Sequence, residues 1–199
     1  MVVSTLHGRI DAPERIDVEG VTLRRPQLGD YEEWAELRGR SRAFLTPWEP
    51  AWSIDELTRA AYKRRLRRYA REVREGLASP FFVFRQADGA LVGGCNLNNI
   101  RRGVLQATSI GYWVGEPHRR RGYTIAAARA AVGYAFDVLK LHRVEAACIP
   151  SNEASRALLE KLGFLREGVA RSYLKINGAW RDHLLYALID DERDARGRP

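Results

Sequence analysis

One α/β domain, built on a mixed and largely antiparallel twisted sheet, is predicted by three observations. Strand-like and helix-like segments follow in the order β-α-α-β-β-β-α-β-α-β-β. Turn signals at Asp88-Gly89 and Asn177-Gly178 join consecutive strands into hairpins. A β-branched and aromatic strand over residues 110–114 runs through a short basic turn into a helix of small residues. With 199 residues, one domain is the expectation, with about four helices flanking the sheet.

Residues 1–19 carry mixed charge without a period and read as a flexible lead-in to a domain over 20–190. Residues 21–25 form a first strand, stopped by Pro26. Asp30 then caps a helix, with Trp34 and Leu37 one turn apart. Residues 44–52 hold Pro47 and Pro50, so an aromatic-rich loop rather than a helix is expected. Residues 55–77 form a long helix whose inner face is Tyr62, Leu66, Tyr69, Val73 and Leu77. Its outer face carries about eight Lys and Arg, either a solvated face or a contact for RNA or another polyanion. Residues 80–85 and 90–100 are paired strands. Asn96, Asn98 and Asn99 either satisfy a buried polar site or wall an open cleft. Residues 106–114 return antiparallel, and a helix over 123–139 follows. A strand at 143–149 precedes a helix over 153–162, with Asn152 at its N-terminus and Gly163 as its C′ residue. Strands at 165–176 and 180–189 close the domain, and residues 191–199 form a charged tail.

Hydrophobic content of 45% with 29% charged residues describes a globular chain. Net charge is +8, from 33 Lys and Arg against 25 Asp and Glu, which favours nucleic acid or a phosphate-bearing cofactor. Cys95 and Cys148 have no metal-ligand spacing and read as buried, reduced thiols. No run approaches the ~20 apolar residues of a membrane span, and no signal-peptide core is visible, so a cytoplasmic protein is expected.

Arg119, Arg120, Arg121 and Gly122 lie between the central strand and the helix that begins at Tyr123 and Thr124. The first N–H groups of a helix lack internal partners, and its dipole favours an anion there. Gly122 has no Cβ to hold a phosphate off the backbone. The loop reads as a pyrophosphate cradle or as a basic turn with a structural glycine. Neither a Walker A loop nor a dinucleotide fingerprint is present.

Arg119-Arg120-Arg121-Gly122-Tyr123-Thr124, with Thr124 at the usual Gly or Ala position, resembles the cofactor loop of the GNAT superfamily of acyl-CoA-dependent N-acetyltransferases. Asn152-Glu153-Ala154-Ser155, continuing to Lys161-Leu162-Gly163-Phe164, resembles the next helix of that superfamily. Residues 44–50, 98–103 and 180–183 are similar to its RimJ group of ribosomal-protein alanine N-acetyltransferases, and the likeness runs over residues 21–189. This resemblance implies acetyl-CoA as co-substrate. As acceptor it implies the N-terminal alanine of the fifth small-subunit ribosomal protein, and it implies a single GNAT-like domain. It also implies a backbone N–H at Trp113 or Val114 facing the thioester oxygen.

Many members carry a tyrosine acid where this chain has Leu159; Ser155 is instead expected to bond the thiolate, as in RimL-like relatives, or to help cap its helix. Asn152 is either the cap or a holder of the pantetheine arm. Glu49, set between two prolines beside Trp48, is the candidate base, with partial desolvation by Trp48 and Trp52 raising its pKa; the alternative is a carboxylate that binds the cationic N-terminus or faces water. Trp48, Asn98 and Tyr173 are candidate substrate-binding wall residues. His118 is expected to add positive character to the cradle, Asp182 to orient Arg181, and no metal set assembles among the histidines. Two other functions remain open: a GNAT enzyme acting on a small amine or antibiotic, and a ribosome- or RNA-binding assembly factor with a secondary CoA site. A monomer or homodimer without membrane contact is expected.

Overall fold

The computed structural model describes residues 15–191; the remainder of the expected lead-in and tail lies outside the described residues. Eight strands form one sheet: β1 (Arg15–Val18), β2 (Val21–Arg24), β3 (Ser79–Arg85), β4 (Leu91–Arg101), β5 (Ala107–Val114), β6 (Arg143–Cys148), β7 (Leu165–Ile176) and β8 (Ala179–Ile189). Their spatial order is β1-β2-β3-β4-β5-β6-β8-β7. Every neighbouring pair is antiparallel except β5 with β6. Five α-helices accompany the sheet: α1 (Tyr31–Arg40), α2 (Arg42–Leu45), α3 (Arg59–Arg74), α4 (Tyr123–Gly133) and α5 (Glu153–Lys161).

Strand β3 reads Ser-Pro-Phe-Phe-Val-Phe-Arg, an unbroken apolar run of the kind a strand covered on both faces requires. Strand side chains alternate, so Phe81 and Val83 enter the main core with α4, while Phe82 and Phe84 enter a second cluster with Trp34, Leu37, Tyr62 and Leu91. On the first face Ala127, Ala128 and Ala131 of α4 are buried; their short side chains let the helix lie close to the sheet. On the other face α1 and α3 cover β3 and β4 through Trp34 and Tyr62, with ring centroids 4.9 Å apart. The Tyr62 hydroxyl satisfies itself by donating to the Gln27 carbonyl at 2.7 Å.

Several expectations change. Residues 15–18 are an edge strand, because Glu19-Gly20 turns the chain onto β2 with Gly20 at φ +78°. Phe44 and Leu45 belong to α2, and Thr46–Trp48 is a 3-10 turn. Pro47 is tolerated there because it sits in the first turn, where no N–H is needed. Residues 55–58 precede α3, which Thr58 caps by accepting the Ala61 N–H; α3 ends at Arg74, short of Leu77. Asp30 does not cap α1 with its side chain. Its carboxylate accepts the Gln27 N–H at 2.7 Å and a two-armed bond from Arg24. The expected helix over 123–139 is α-helical to Gly133 and then widens to a π-turn over Tyr134–Val138, with the Leu139 N–H on the Tyr134 carbonyl.

The parallel contact between β5 and β6 matters most for the site. It covers only Ala107↔Arg143, Thr108↔Val144 and Ser109↔Glu145. Beyond Ser109 the two strands part, and an open seam runs between residues 110–114 and 146–149.

Candidate active site

The seam opens onto the turn that carries Gly122. Gly122 is the N-cap of α4 at φ +82°, a backbone state that favours glycine, and a Cβ built there meets nothing within 4 Å. The first intrahelical bond runs from the Ala126 N–H to the Gly122 carbonyl, so the N–H groups of Tyr123, Thr124 and Ile125 stand ahead of it. Arg120, also at positive φ, and exposed Arg119 and Arg121 add charge to a helix start aimed at open space. Arg119 stacks over Phe44 at 5.0 Å, tying the turn to α2. The arrangement fits a diphosphate. His118 adds no charge to it near pH 7: burial, with Arg85 and Arg121 beside it, holds its pKa below the usual value.

A cavity of about 520 Å³ fills the seam, bounded by Phe44, Trp48 and Glu49 on one side and Cys148, Asn152 and Ser155 on the other. Thr124 lines it at the cradle end. Backbone directions in β5 follow from its ladder. The Gly115 N–H is spent on the Val92 carbonyl at 2.8 Å, and the Trp113 carbonyl faces β4, so close that a Cβ on Gly93 would lie 2.3 Å from it. Strand alternation therefore turns the Val114 N–H away from β4 and into the seam, while that of Trp113 is committed to the ladder.

Helix α5 starts at the other wall. The Asn152 side chain accepts the Ser155 N–H at 3.1 Å, so Asn152 is the cap. The Ser155 hydroxyl takes no part in capping; it lies 2.8 Å from the Tyr112 hydroxyl inside the cavity wall. Burial holds the Tyr112 phenol well above its ordinary range. Burial also raises the Cys148 thiol, with Ser155 opposing, so Cys148 is neutral there.

Glu49 faces both this cavity and a second one of about 390 Å³. Its rigidity comes less from the flanking prolines than from Arg38. Arg38 Nη1 and Nη2 each donate to one carboxylate oxygen at 2.7 Å, and Trp52 Nε1 donates to Oε2 at 2.8 Å. Of about four acceptor positions on the carboxylate, three are taken, leaving one on Oε1 for a water or an ammonium group. Arg38 is buried with its guanidinium 4.3 Å from the Trp52 ring and 5.0 Å from Trp113. The Glu49 carbonyl accepts the Asn177 N–H at 2.9 Å, which fastens this loop to the β7–β8 turn.

The second cavity continues into a third of about 780 Å³; both are lined by Arg65, Arg68, Tyr69 and Asn96. Asn98 and Tyr173 line the third, whereas Trp48 lines the first. Asn96 combines both readings, since its side chain accepts the Phe81 N–H and also walls the groove. Asp182 does not hold Arg181; it accepts the Ser172 N–H at 2.8 Å where β7 bulges. His183 is buried, with Nδ1 on the Arg181 carbonyl and its ring edge-on to Tyr173.

Two important side chains escape a reading of the sequence alone. Tyr112 gives no signal, because its partner lies 43 residues away. Arg38 does give one: it occupies the buried stripe Trp34, Leu37, Arg38, where a charge demands a partner.

A family model described as "Acetyltransferase (GNAT) domain" matches residues 21–165. The probable N-acetyltransferase YjcK of Bacillus subtilis is 36% identical over 175 residues, 87% of this chain and 97% of that protein. The [ribosomal protein uS5]-alanine N-acetyltransferase of Escherichia coli is 34% identical over 161 residues, 80% of this chain and 83% of that one. Mycobacterium smegmatis RimJ, solved in complex with CoA-disulfide, is 33% identical with a TM-score of 0.82, covering 89% of this chain and 90% of that chain. With a glycine-capped helix start, a splayed seam and these matches in hand, the chain belongs to the GNAT acetyltransferase family and is an acetyl-CoA-dependent N-acetyltransferase.

Proposed function

We propose that the acceptor is the N-terminal α-amine of a protein, with the alanine of a small-subunit ribosomal protein as substrate and the cytoplasm as the place of reaction. The observation that carries this reading is the acceptor groove. It does not end at the amine side of Glu49 but runs on for a further 780 Å³ past Asn98 to Tyr173, room for the residues that follow a peptide N-terminus. A site for a small amine needs no such extension. The relatives named for acting on the alanine of uS5 support the choice of residue.

An α-amine has a pKa near ~7.7–8.0, so a useful fraction is neutral at cellular pH and a modest base suffices. In the proposed sequence, the α4 cradle at residues 119–124 holds the CoA diphosphate and Asn152 borders the pantetheine arm. The Val114 N–H faces the thioester oxygen as charge builds on it. A water on the open position of Glu49 Oε1 takes the amine proton. The amine nitrogen bonds the acetyl carbon, the C–S bond breaks, and the Ser155 hydroxyl bonds the departing thiolate. Trp48 walls the acetyl end of the cavity.

The test is thiol release with acetyl-CoA and hexapeptides beginning with Ala, Ser or Met, beside small amines and aminoglycosides. Alanine peptides are expected to exceed every small amine in kcat/KM by at least about tenfold, the scale of a few groove contacts. A small amine that outpaces the peptides overturns the reading.

A second contact rests on α3. Four of its arginines are spent inside the molecule, Arg59 on Glu32, Arg64 on Asp55, Arg65 on Glu56 and Arg68 on Glu72. Lys63, Arg67, Arg71 and Arg74 are exposed and form no ion pair among the described residues. Their spacing puts them on one stripe, and we propose it as the contact with ribosomal RNA.

A further inference from the structure

We infer that Tyr112 is a positioning residue for acetyl transfer: its hydroxyl donates to Ser155 Oγ and so turns the single Ser155 proton into the cavity, toward the sulfur of the departing thiolate. The inference rests on the role proposed above for Ser155 and adds the group that orients it.

The two oxygens are 2.8 Å apart, and either could be the donor. The surroundings choose between the two arrangements. Tyr112 sits in mid-β5, paired in register with Cys95, and Ser155 Oγ is its one hydrogen-bond partner among the described residues. Were Ser155 the donor, the phenol proton would be left for the cavity that Tyr112 also lines or for the groups near it, Cys95, Cys148 and Tyr186. Burial keeps the Cys95 thiol protonated, its pKa pushed up to about 12, and raises that of Cys148, so neither is a charged acceptor. That arrangement would trade a hydroxyl acceptor for thiols, which accept only weakly. With Tyr112 donating, both groups are satisfied. The hydroxyl of Ser155 has one proton and two lone pairs, so accepting from Tyr112 leaves its proton for the cavity side, where Cys148, which Ser155 also bonds, lines the same wall.

A free hydroxyl rotor must be reoriented as negative charge appears on sulfur; one already fixed by a neighbour stabilises that charge without reorganisation. No proton leaves Tyr112. As the C–N bond forms, the C–S electron pair passes to sulfur, Ser155 O–H bonds the thiolate, and the nitrogen proton departs through the water at Glu49. The burial that raises the phenol pKa suits a group that must keep its proton throughout.

The experiment is a double-mutant cycle on kcat with saturating acceptor, using Tyr112→Phe, Ser155→Ala and the pair. Ser155→Ala is expected to lower kcat by about a hundredfold and Tyr112→Phe by about tenfold, with KM for acetyl-CoA within about twofold in both. The double variant should match Ser155→Ala, because Tyr112 acts only through that hydroxyl. Incorporation of 3-fluorotyrosine at position 112, which keeps ring and donor, should hold kcat within about twofold and also serves if Tyr112→Phe does not fold. Losses that multiply, or a fluorotyrosine enzyme as slow as Tyr112→Phe, overturn the inference. An impaired Ser155→Ala beside an intact Tyr112→Phe sinks the Tyr112 inference alone, whereas an unimpaired Ser155→Ala removes the assigned role of Ser155 and this one with it.

Discussion

Arg38 and Glu49 have to be considered together, because neither is tolerable alone where it sits. The Arg38 side chain is 7% exposed and that of Glu49 21%, and both Arg38 terminal nitrogens are committed to the carboxylate. Replacing Arg38 by Met removes one charge and strands the other in a partly dry place. The expected cost is about 3 kcal/mol, or roughly 10 °C in Tm for a domain of this size. Arg38→Met combined with Glu49→Gln should recover most of that stability, since two neutral groups leave no stranded charge, yet remain as slow in acetylation as Glu49→Gln alone. Thermal unfolding beside steady-state rates separates the two effects. A double variant as unstable as Arg38→Met would place the role of the pair in packing, through the Trp52 and Trp113 rings that stack on the guanidinium. The carboxylate was recognisable in the sequence as a residue caught between prolines. Its partner, eleven positions upstream on α1, was recognisable only as a charge in a buried stripe, because the loop path that joins them is set by tertiary packing.

At the level of elements, legibility tracks how local the cause is. Asn177 and Gly178 have φ of +45° and +80°, the conformation that the pair announces, and the hairpin β7–β8 follows from them. Gly163 likewise ends α5 at φ +87°. The short strand β1 is invisible for the opposite reason, since four residues of mixed polarity acquire strand form only by pairing with β2. The divergence of β5 from β6 is another long-range fact, and it creates the cavity. The strand-turn-helix of β5 and α4 combines both cases: its sequence names the cradle, and its backbone explains the glycine. Gly122→Val forces a β-branched residue to φ +82° and points its methyl groups into the space where a diphosphate would lie. A stability loss of about 1–2 kcal/mol is expected from the backbone strain. The affinity for CoA, measured by calorimetry, should fall by more than the stability loss explains, about tenfold or beyond. Gly122→Ala, with less bulk in the cradle, should fall between. Unaltered CoA binding in the valine variant would move the diphosphate away from this turn.

Over the whole molecule, positive charge gathers in several places, two of which bear on function. The chain carries a net +8, and one basic cluster, residues 119–121, borders the Gly122 turn proposed to hold the cofactor. The other lies along α3, whose inner face is anchored by Tyr62 and whose arginines near the acceptor groove are neutralised by Glu56 and Glu72. That internal pairing matters for specificity of contact, because it leaves the groove itself close to balanced and confines free charge to the outer stripe of Lys63, Arg67, Arg71 and Arg74. A stripe of four cations meeting single-stranded RNA should give a log–log salt slope near −3, so affinity should drop about 60-fold between 50 and 200 mM salt. Changing all four to Gln should flatten that slope toward zero. Acetylation of a short alanine peptide should not change, since none of the four lines the cavities of the site. Acetylation of an acceptor presented on a ribosomal particle should slow in the same variant, chiefly through KM. If the four-residue variant binds RNA with the parent slope, α3 is merely solvated, and any RNA contact lies with the other exposed cations.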